Sequence, residues 1–190
     1  MNPQTAYAEC KVMVERDLSG MADDSFTPCY MRNATAYGAS PRMRFDVVLN
    51  NLSGLAWVKK EIAMTSDGTP WRPLVHALDI AKSIRCALQA PLETVHNQTF
   101  NVGDTTHNYT VRQIAEVVAE VFEGCTLSFG SAGADNRSYR VSFEKITRVL
   151  KYGTEYSVED GIRELSDAIL SGFIFDPNAG RNRNAQFIVQ

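Results

Sequence analysis

The chain has 190 residues, of which 44% are apolar and 22% are charged, and its formal net charge is −3. This length suits one globular domain, or one domain with an appendage, and is enough to bury a core. The slight excess of acidic residues argues against a nucleic-acid-binding protein, which normally carries a basic face.

The first 45 residues predict a helix, a strand and a loop, in that order. Apolar and charged side chains mix at helical spacing from Tyr7 to Met21, and Gly20 can end this helix. The apolar, β-prone run over residues 26–31 predicts a buried strand. Residues 33–44 are polar and contain glycine and proline, so they predict a loop.

The middle of the chain alternates between the same two kinds of element. Asp46 is in position to cap a helix that runs to Val58. Short strands are predicted over residues 62–65, 74–75 and 99–102, separated by a Ser-Asp-Gly turn and a further helix. That helix covers residues 77–90, and its apolar side chains, Leu78, Ile80, Ala81, Ile84, Ala87 and Leu88, are predicted to face inward.

Three capped helices are predicted in the rest of the chain. Thr110, Ser142 and Ser157 stand directly before apolar-periodic segments that end near residues 122, 150 and 170. A short strand is predicted over 127–129, and the next glycines are assigned to a loop. From Asp176 the sequence is rich in Asn and Arg and predicts a flexible tail. Alternating strands and helices indicate an α/β fold, and the small number of strands suggests part of a domain.

The cysteines and histidines do not form a recognisable metal site. Cys10, Cys29, Cys86 and Cys125 contain no CxxC pair, and the histidines lack ligand spacing, so we expect no metal. Scattered thiols are typical of a reducing compartment, and the polar first ten residues contain no apolar signal core. No apolar run approaches the roughly 18 residues of a membrane span. We therefore expect a cytoplasmic protein without a membrane partner.

The pair formed by Tyr7 and Lys11 is the first candidate for catalysis. Residues four apart share one face of a helix, and an ammonium beside a phenol lowers the pKa of the phenol. Such a tyrosine can exchange a proton with a substrate hydroxyl while a hydride moves to or from a nicotinamide. Taken alone, the pair is equally compatible with a tyrosine and a lysine on an exposed helix surface.

Three further motifs follow the Tyr7–Lys11 pair in a fixed order. They are Arg32-Asn-Ala-Thr-Ala-Tyr37-Gly38, Arg72-Pro-Leu-Val-His76-Ala-Leu-Asp79 and Phe100-Asn-Val-Gly103. With the YxxxK pair, their order and spacing resemble the extended short-chain dehydrogenase/reductase family, from about Asn2 to Leu170. Ala39 replaces the proline that the family has after Tyr-Gly, which leaves this loop less rigid.

The resemblance implies the C-terminal part of an extended Rossmann-type fold with a small substrate-binding α/β subdomain. Residues 1–45 would be a remnant of the NAD(P)-binding domain. Residues 46–175 would be mainly substrate-binding, with returning Rossmann elements near 74–103, and residues 176–190 a flexible tail. The family's GxxGxxG loop and its serine or threonine upstream of the tyrosine do not occur in the sequence. We therefore expect the N-terminal dinucleotide-binding half to be absent, and the chain to be a fragment or half of a split enzyme.

The resemblance also implies roles for individual side chains. Tyr7 and Lys11 would be catalytic and, with Arg32 and Thr35, would contact NAD or NADP. Arg44, Asn51, Arg72 and Arg137 would bind the nucleotide diphosphate of a sugar, although each arginine alone could be a solvated surface charge. His76 and Asp79 are predicted to be a structural hydrogen-bonding pair rather than a catalytic one.

The sequence therefore predicts an NAD(P)-dependent nucleotide-sugar epimerase/dehydratase, in which Tyr7 is the acid/base and Lys11 tunes it. Two alternatives stay open: a non-catalytic nucleotide-sugar-binding or subunit-pairing fragment, and a family reductase that acts on a non-nucleotide alcohol. The expected partners are a nucleotide-diphosphate sugar and either a second copy of the chain or a separate N-terminal half.

Overall fold

A computed structural model describes residues 3, 5–132, 138–174, 176–177 and 179–182. Helices alternate with mostly parallel strands, as predicted for an α/β protein. The helices are α1 (Ala6–Gly20), α2 (Val48–Lys59), α3 (Ala77–Gln89), α4 (Leu92–Val95), α5 (Val111–Val121), α6 (Glu144–Leu150) and α7 (Val158–Leu170). The strands are β1 (Cys29–Asn33), β2 (Thr35–Tyr37), β3 (Glu61–Ser66), β4 (Trp71–His76), β5 (Gln98–Val102), β6 (Asn108–Thr110) and β7 (Thr126–Ala132).

The strands of the described residues form three small sheets. β1 pairs with β5 in parallel, so that Met31 lies opposite Phe100. In the second sheet the order is β2-β4-β6, with β2 parallel and β6 antiparallel to β4. β3 and β7 form a third, parallel pair. Parallel pairs need crossover connections, which the intervening helices supply.

Two clusters of apolar side chains hold these elements together. The larger one lies among α2, α5, α7 and the strands β2 to β4, and its fully buried members include Phe45, Leu74 and Ile162. The smaller one lies between the β1–β5 sheet, α3 and α6, around Phe100 and Phe143. None of the residues of α1 is buried, so this helix belongs to neither cluster.

The predicted helix caps are confirmed at two positions and wrong at two others. Thr110 and Ser157 each form a capping box at the start of α5 and α7. Asp46 does not cap α2, because its carboxylate accepts two hydrogen bonds from the Arg44 guanidinium, and Val47 occupies the cap position instead. Ser142 precedes the cap position of α6, which Phe143 occupies without a side-chain hydrogen bond.

The prediction for the inward face of α3 is confirmed for Ile80 and Ala87, which pack against the smaller cluster, and wrong for the other four side chains. Leu78, Ile84 and Leu88 are exposed, whereas Asp79 and Ser83 are buried. The Asp79 carboxylate accepts hydrogen bonds from the backbone N–H groups of residues 155 and 156, at 2.9 and 3.3 Å. A buried carboxylate needs such donors, so this side of the helix faces the segment that provides them.

Several short elements were not predicted. β2 lies within the expected loop after β1, because three residues of that loop pair with β4. β7 continues through Gly130, which was expected to be in a loop. A Cβ atom at Gly130 would lie 2.2 Å from the Thr65 carbonyl oxygen, so only glycine allows this close approach. At the start of the predicted tail, Asn182 is buried and its carbonyl oxygen accepts the Phe45 N–H at 2.8 Å.

No helix in the described part of the chain has the length and apolar character that crossing a membrane requires.

Candidate functional site

Tyr7 and Lys11 lie side by side on the exposed surface of α1. The helix begins after Thr5, whose hydroxyl accepts the Ala8 N–H at 3.2 Å. Tyr7 is 73% exposed, and the Lys11 ammonium nitrogen lies 5.5 Å from the centre of the Tyr7 ring. The four-residue spacing therefore brings the phenol and the ammonium together, as the sequence predicts.

Polar contacts attach α1 to the β1–β5 sheet. Glu15 faces the sheet, where its carboxylate accepts two hydrogen bonds from the Arg32 guanidinium and one from the Thr99 hydroxyl. Partial burial acts to raise the pKa of Glu15, but the hydrogen bonds from Arg32 and Thr99 and the Arg32 charge outweigh it and lower the pKa. Arg32, predicted to bind the cofactor, thus has its guanidinium against α1.

An open cavity of about 470 Å³ lies between α1 and β1. Its lining includes Tyr7, Lys11, Arg32 and Asn33. It therefore contains three of the four residues predicted to contact NAD(P). The fourth, Thr35, lies just beyond the end of β1, at the start of β2.

A second cavity, of about 350 Å³, begins at Tyr7 and extends to the loop between β2 and α2. Thr35, Arg42, Arg44 and Asn50 contribute to its walls. The hydrogen bonds from Arg44 to the Asp46 carboxylate, at 2.8 and 3.0 Å, hold the guanidinium at this wall and raise its pKa. The Asn50 amide nitrogen donates to the Arg44 carbonyl oxygen at 3.1 Å, which fixes the backbone of the same loop.

A third cavity, of about 430 Å³, contains the other predicted substrate-binding side chains that the structure describes. Asn51, Arg72 and Tyr139 are among its lining residues. Thr35 and Val47 line both this cavity and the second one, so the two are adjacent. We refer to these two adjacent cavities, whose linings together include Tyr7, Thr35 and Arg72, as the depression.

His76 and Asp79 are structural, but they do not bond to each other. His76 is fully buried, its Nδ1 accepts the Leu78 N–H at 3.3 Å, and its Nε2 lies 2.8 Å from the Glu164 carboxylate. The same Glu164 oxygen accepts the Ala39 N–H at 2.9 Å. Sequence reasoning missed Glu164, because it lies 88 residues from His76 and belongs to no local motif.

Arg137, predicted to bind substrate, lies outside the described residues. Within the described part of the chain, no group of three or more His, Cys, Asp or Glu side chains could hold a metal ion.

The family assignment follows from comparison with known proteins. The model of the NAD dependent epimerase/dehydratase family matches residues 1–103, which is more than half of the chain. The chain belongs to this family. The match spans the Tyr7–Lys11 pair, both arginine-containing motifs and the glycine at the end of β5.

Solved structures of similar fold include three epimerases. The chain aligns with an epimerase from Methanothermobacter thermautotrophicus at a TM-score of 0.78 and 18% identity, covering 98% of this chain and 55% of that one. For the UDP-glucose 4-epimerase of Thermotoga maritima, solved with UDP-glucose, the TM-score is 0.75 and the identity is 19%. That alignment covers 90% of this chain and 55% of that one. For the UDP-glucuronic acid 4-epimerase of Bacillus cereus, solved with UDP-glucuronic acid and NAD, the TM-score is 0.74 and the identity is 20%. That alignment covers 90% of this chain and 54% of that one. The chain thus has the C-terminal fold of such enzymes and spans about half their length.

Proposed function

We propose that this chain forms the proton-transfer and nucleotide-sugar-binding side of an NAD(P)-dependent epimerase or dehydratase. The observation that supports the proposal is the depression, whose lining includes Tyr7, Thr35, Arg44 and Arg72. A sugar at the Tyr7 end and a diphosphate at the arginine end would match its chemistry, because guanidinium groups pair with phosphate oxygens.

The substrate class is proposed from charge and hydrogen-bonding capacity. Arg44 and Arg72 contribute arginine side chains to the lining of the depression, and Thr35 and Asn51 contribute neutral polar ones. The relatives solved with UDP-glucose and with UDP-glucuronic acid support a uridine diphosphate sugar. Arg137 remains a proposed further ligand of the same diphosphate.

The cofactor NAD or NADP would accept a hydride from a sugar carbon and return it. Tyr7 and Lys11 fit its nicotinamide end, because both side chains reach the cavity beside α1. In this proposal the Tyr7 hydroxyl exchanges a proton with the substrate hydroxyl, and Lys11 provides the adjacent positive charge. Arg32 positions α1 through Glu15. The 190-residue sequence contains no GxxGxxG loop for the pyrophosphate.

One alternative is a non-catalytic nucleotide-sugar-binding or subunit-pairing fragment. The other alternative is a reductase acting on a non-nucleotide alcohol. Such a substrate has no phosphate for the two arginines of the depression to bind. The four free thiols support a cytoplasmic location in any of these cases.

The substrate proposal is tested by calorimetric titration of the purified chain with UDP-glucose. Arg72→Leu should weaken binding at least about tenfold, because it removes a charge-assisted contact to phosphate. Arg85→Leu, an exposed change on α3, is the matched control and should leave the affinity unchanged. Equal affinities of the two variants would contradict the proposed role of Arg72.

The catalytic proposal is tested by chromatographic analysis of UDP-glucose after incubation with the chain and NAD⁺. The wild-type chain should convert UDP-glucose to an epimerised or dehydrated product, and Tyr7→Phe should not, while both bind the nucleotide sugar equally. If the wild type binds the sugar nucleotide without converting it, the non-catalytic alternative holds for this chain.

A further inference from the structure

One buried junction connects the wall of the proposed substrate site to α7, the last long helix described. Three segments meet there: the turn after β2, the end of β4, and the middle of α7. Gly38 has a φ of +102°, and a Cβ atom on it would lie 2.2 Å from Nε2 of His76. The turn therefore lies directly against the His76 ring, and only glycine allows this distance.

Hydrogen bonds determine which nitrogen of His76 carries the proton. Nδ1 accepts the Leu78 N–H at the start of α3, so the neutral ring has its proton on Nε2. Nε2 then donates to the Glu164 carboxylate at 2.8 Å. The ring is held in this position by the stacked Tyr156, with 4.2 Å between ring centres, and by the edge of Tyr37 at 5.3 Å.

Glu164 links this rigid histidine to the loop that forms the wall of the second cavity. The oxygen that accepts the His76 proton also accepts the Ala39 N–H at 2.9 Å. The loop then continues through Ser40 and Arg42 to Arg44, all of which line the cavity. Its far end is fixed by the hydrogen bond from Asn50 to the Arg44 carbonyl oxygen. Both ends of the loop are thus held by side chains from neighbouring helices.

We infer that Glu164 is a positioning residue for the nucleotide-sugar site, because it fixes the loop that carries Arg42 and Arg44. This inference rests on the proposed function, since it assumes that the second cavity binds the substrate. Glu164 itself is not among the residues that line these three cavities. It acts through the Ala39 backbone and the His76 ring, and its loss would release the near end of the loop.

The test compares three variants of α7 in the full chain, with UDP-glucose as the probe. Glu164→Ala removes the acceptor of both hydrogen bonds. Glu164→Gln keeps an oxygen that can accept them but removes the charge. Asp167→Ala removes an exposed carboxylate from the same helix and is the matched control. Affinity is measured by calorimetry, and hydrogen exchange is measured for the backbone amides of residues 38–45.

We expect Glu164→Ala to weaken UDP-glucose binding about tenfold, since a hydrogen bond to a charged acceptor is lost. Amide exchange should become faster at residues 38–45 and remain unchanged in α2 and α5. Glu164→Gln should recover most of the affinity, and Asp167→Ala should bind as the wild type does. The proton on Nε2 of His76 should be visible in the nitrogen shifts of the wild-type ring and should lose its acceptor in Glu164→Ala.

Two results would overturn the inference while leaving the proposed function intact. One is an unchanged affinity in Glu164→Ala. The other is faster exchange throughout the chain, which would make Glu164 a residue of general stability. A wild-type chain that does not bind UDP-glucose would overturn the proposed function and the role of Glu164 in binding together. The exchange at residues 38–45 would then still show whether Glu164 restrains this loop.

Discussion

α7 and α1 have similar lengths but are attached to the rest of the molecule in different ways. α7 has 13 residues, and five of them are buried: Val158, Gly161, Ile162, Leu165 and Ile169. α1 has 15 residues and none is buried. Instead, Glu15 ties α1 to Arg32 and Thr99, while Met13 and Val14 remain exposed. The proposed substrate side is therefore held by apolar packing, and the proposed proton-transfer side by a few polar contacts.

This difference shows where a local substitution should have global consequences. Apolar burial contributes roughly 25 cal/mol for each Å² removed from water, whereas a partly exposed ion pair contributes about 1 kcal/mol or less. Damage to α7 should unfold the chain, while damage to α1 should release that helix alone.

The largest expected effect comes from Ile162→Ala in α7. Ile162 is fully buried in the larger apolar cluster, so its truncation should reduce the free energy of unfolding by about 2–5 kcal/mol. Val14→Ala in α1 should change it by less than about 0.5 kcal/mol, because Val14 is largely exposed. Urea unfolding, followed by circular dichroism, measures both. A large loss of stability in Val14→Ala would mean that α1 is packed more tightly than described.

The next prediction compares Gly161→Ala in α7 with Gly20→Ala in α1. The two substitutions should change the free energy of unfolding in opposite directions. A Cβ atom at Gly161 would lie 2.4 Å from the buried Tyr37 ring, so Gly161→Ala should destabilise the chain by about 1–3 kcal/mol. At Gly20, the last residue of α1, nothing lies within 4 Å of the added atom. Gly20→Ala should be neutral or stabilise α1 by up to about 1 kcal/mol. Melting temperatures of the two variants give the signs, and a destabilised Gly20→Ala would contradict the open surroundings of α1.

The same two regions show how far the sequence predicted the structure. Features within one segment were predicted well: the helical limits of α1, the Tyr7–Lys11 spacing, and the capping boxes of α5 and α7. These depend on neighbours three or four residues away, which a sequence displays directly. The family and the α/β fold were also predicted, because several motifs occur in a fixed order.

Features that depend on distant segments were not predicted. The apolar stripe of α3 suggested an inward face, but Asp79 is buried because the backbone of residues 155 and 156 needs its carboxylate. The contact between the Arg32 guanidinium and Glu15 of the preceding helix was also not predicted. No local sequence pattern indicated a role for Glu164, since its partners are more than 80 residues away. Side-chain periodicity identifies an amphipathic helix but does not identify which polar group finds a buried partner.

A smaller, local effect is expected from Arg32→Gln on the α1 side. Loss of the guanidinium removes two hydrogen bonds to Glu15, so exchange of the α1 amides should increase severalfold, which corresponds to about 1 kcal/mol of local opening. The α7 amides should be unaffected. Arg16→Gln, which breaks the exposed pair with Asp17 on the same helix, serves as the control and should leave exchange unchanged. Slower folding or lower stability of the whole chain in Arg32→Gln would show that α1 and the core are coupled.

The smallest expected effect is the release of α1 by acid. The pKa of Glu15 is lowered in the folded chain, so its contact with Arg32 contributes stability above the unfolded pKa of about 4.3. That contribution is lost as the pH falls through the lower, folded pKa, because the protonated carboxyl no longer pairs with the guanidinium. Amide resonances of α1 should therefore shift toward those of Glu15→Gln between about pH 4.3 and the folded pKa.

The Glu15→Gln variant distinguishes the titration of Glu15 from the effects of acid on the rest of the chain. Asp160 at the start of α7 also has a lowered pKa, from its hydrogen bonds with Ser157, so acid weakens both regions in the same direction. In Glu15→Gln the α1 resonances should already be at their low-pH positions at pH 7, while α7 should titrate as in the wild type. If α1 in the wild type keeps its neutral-pH resonances until α7 unfolds, the helix is held by something other than the Glu15 carboxylate, and the difference between the two regions is smaller than their burial indicates.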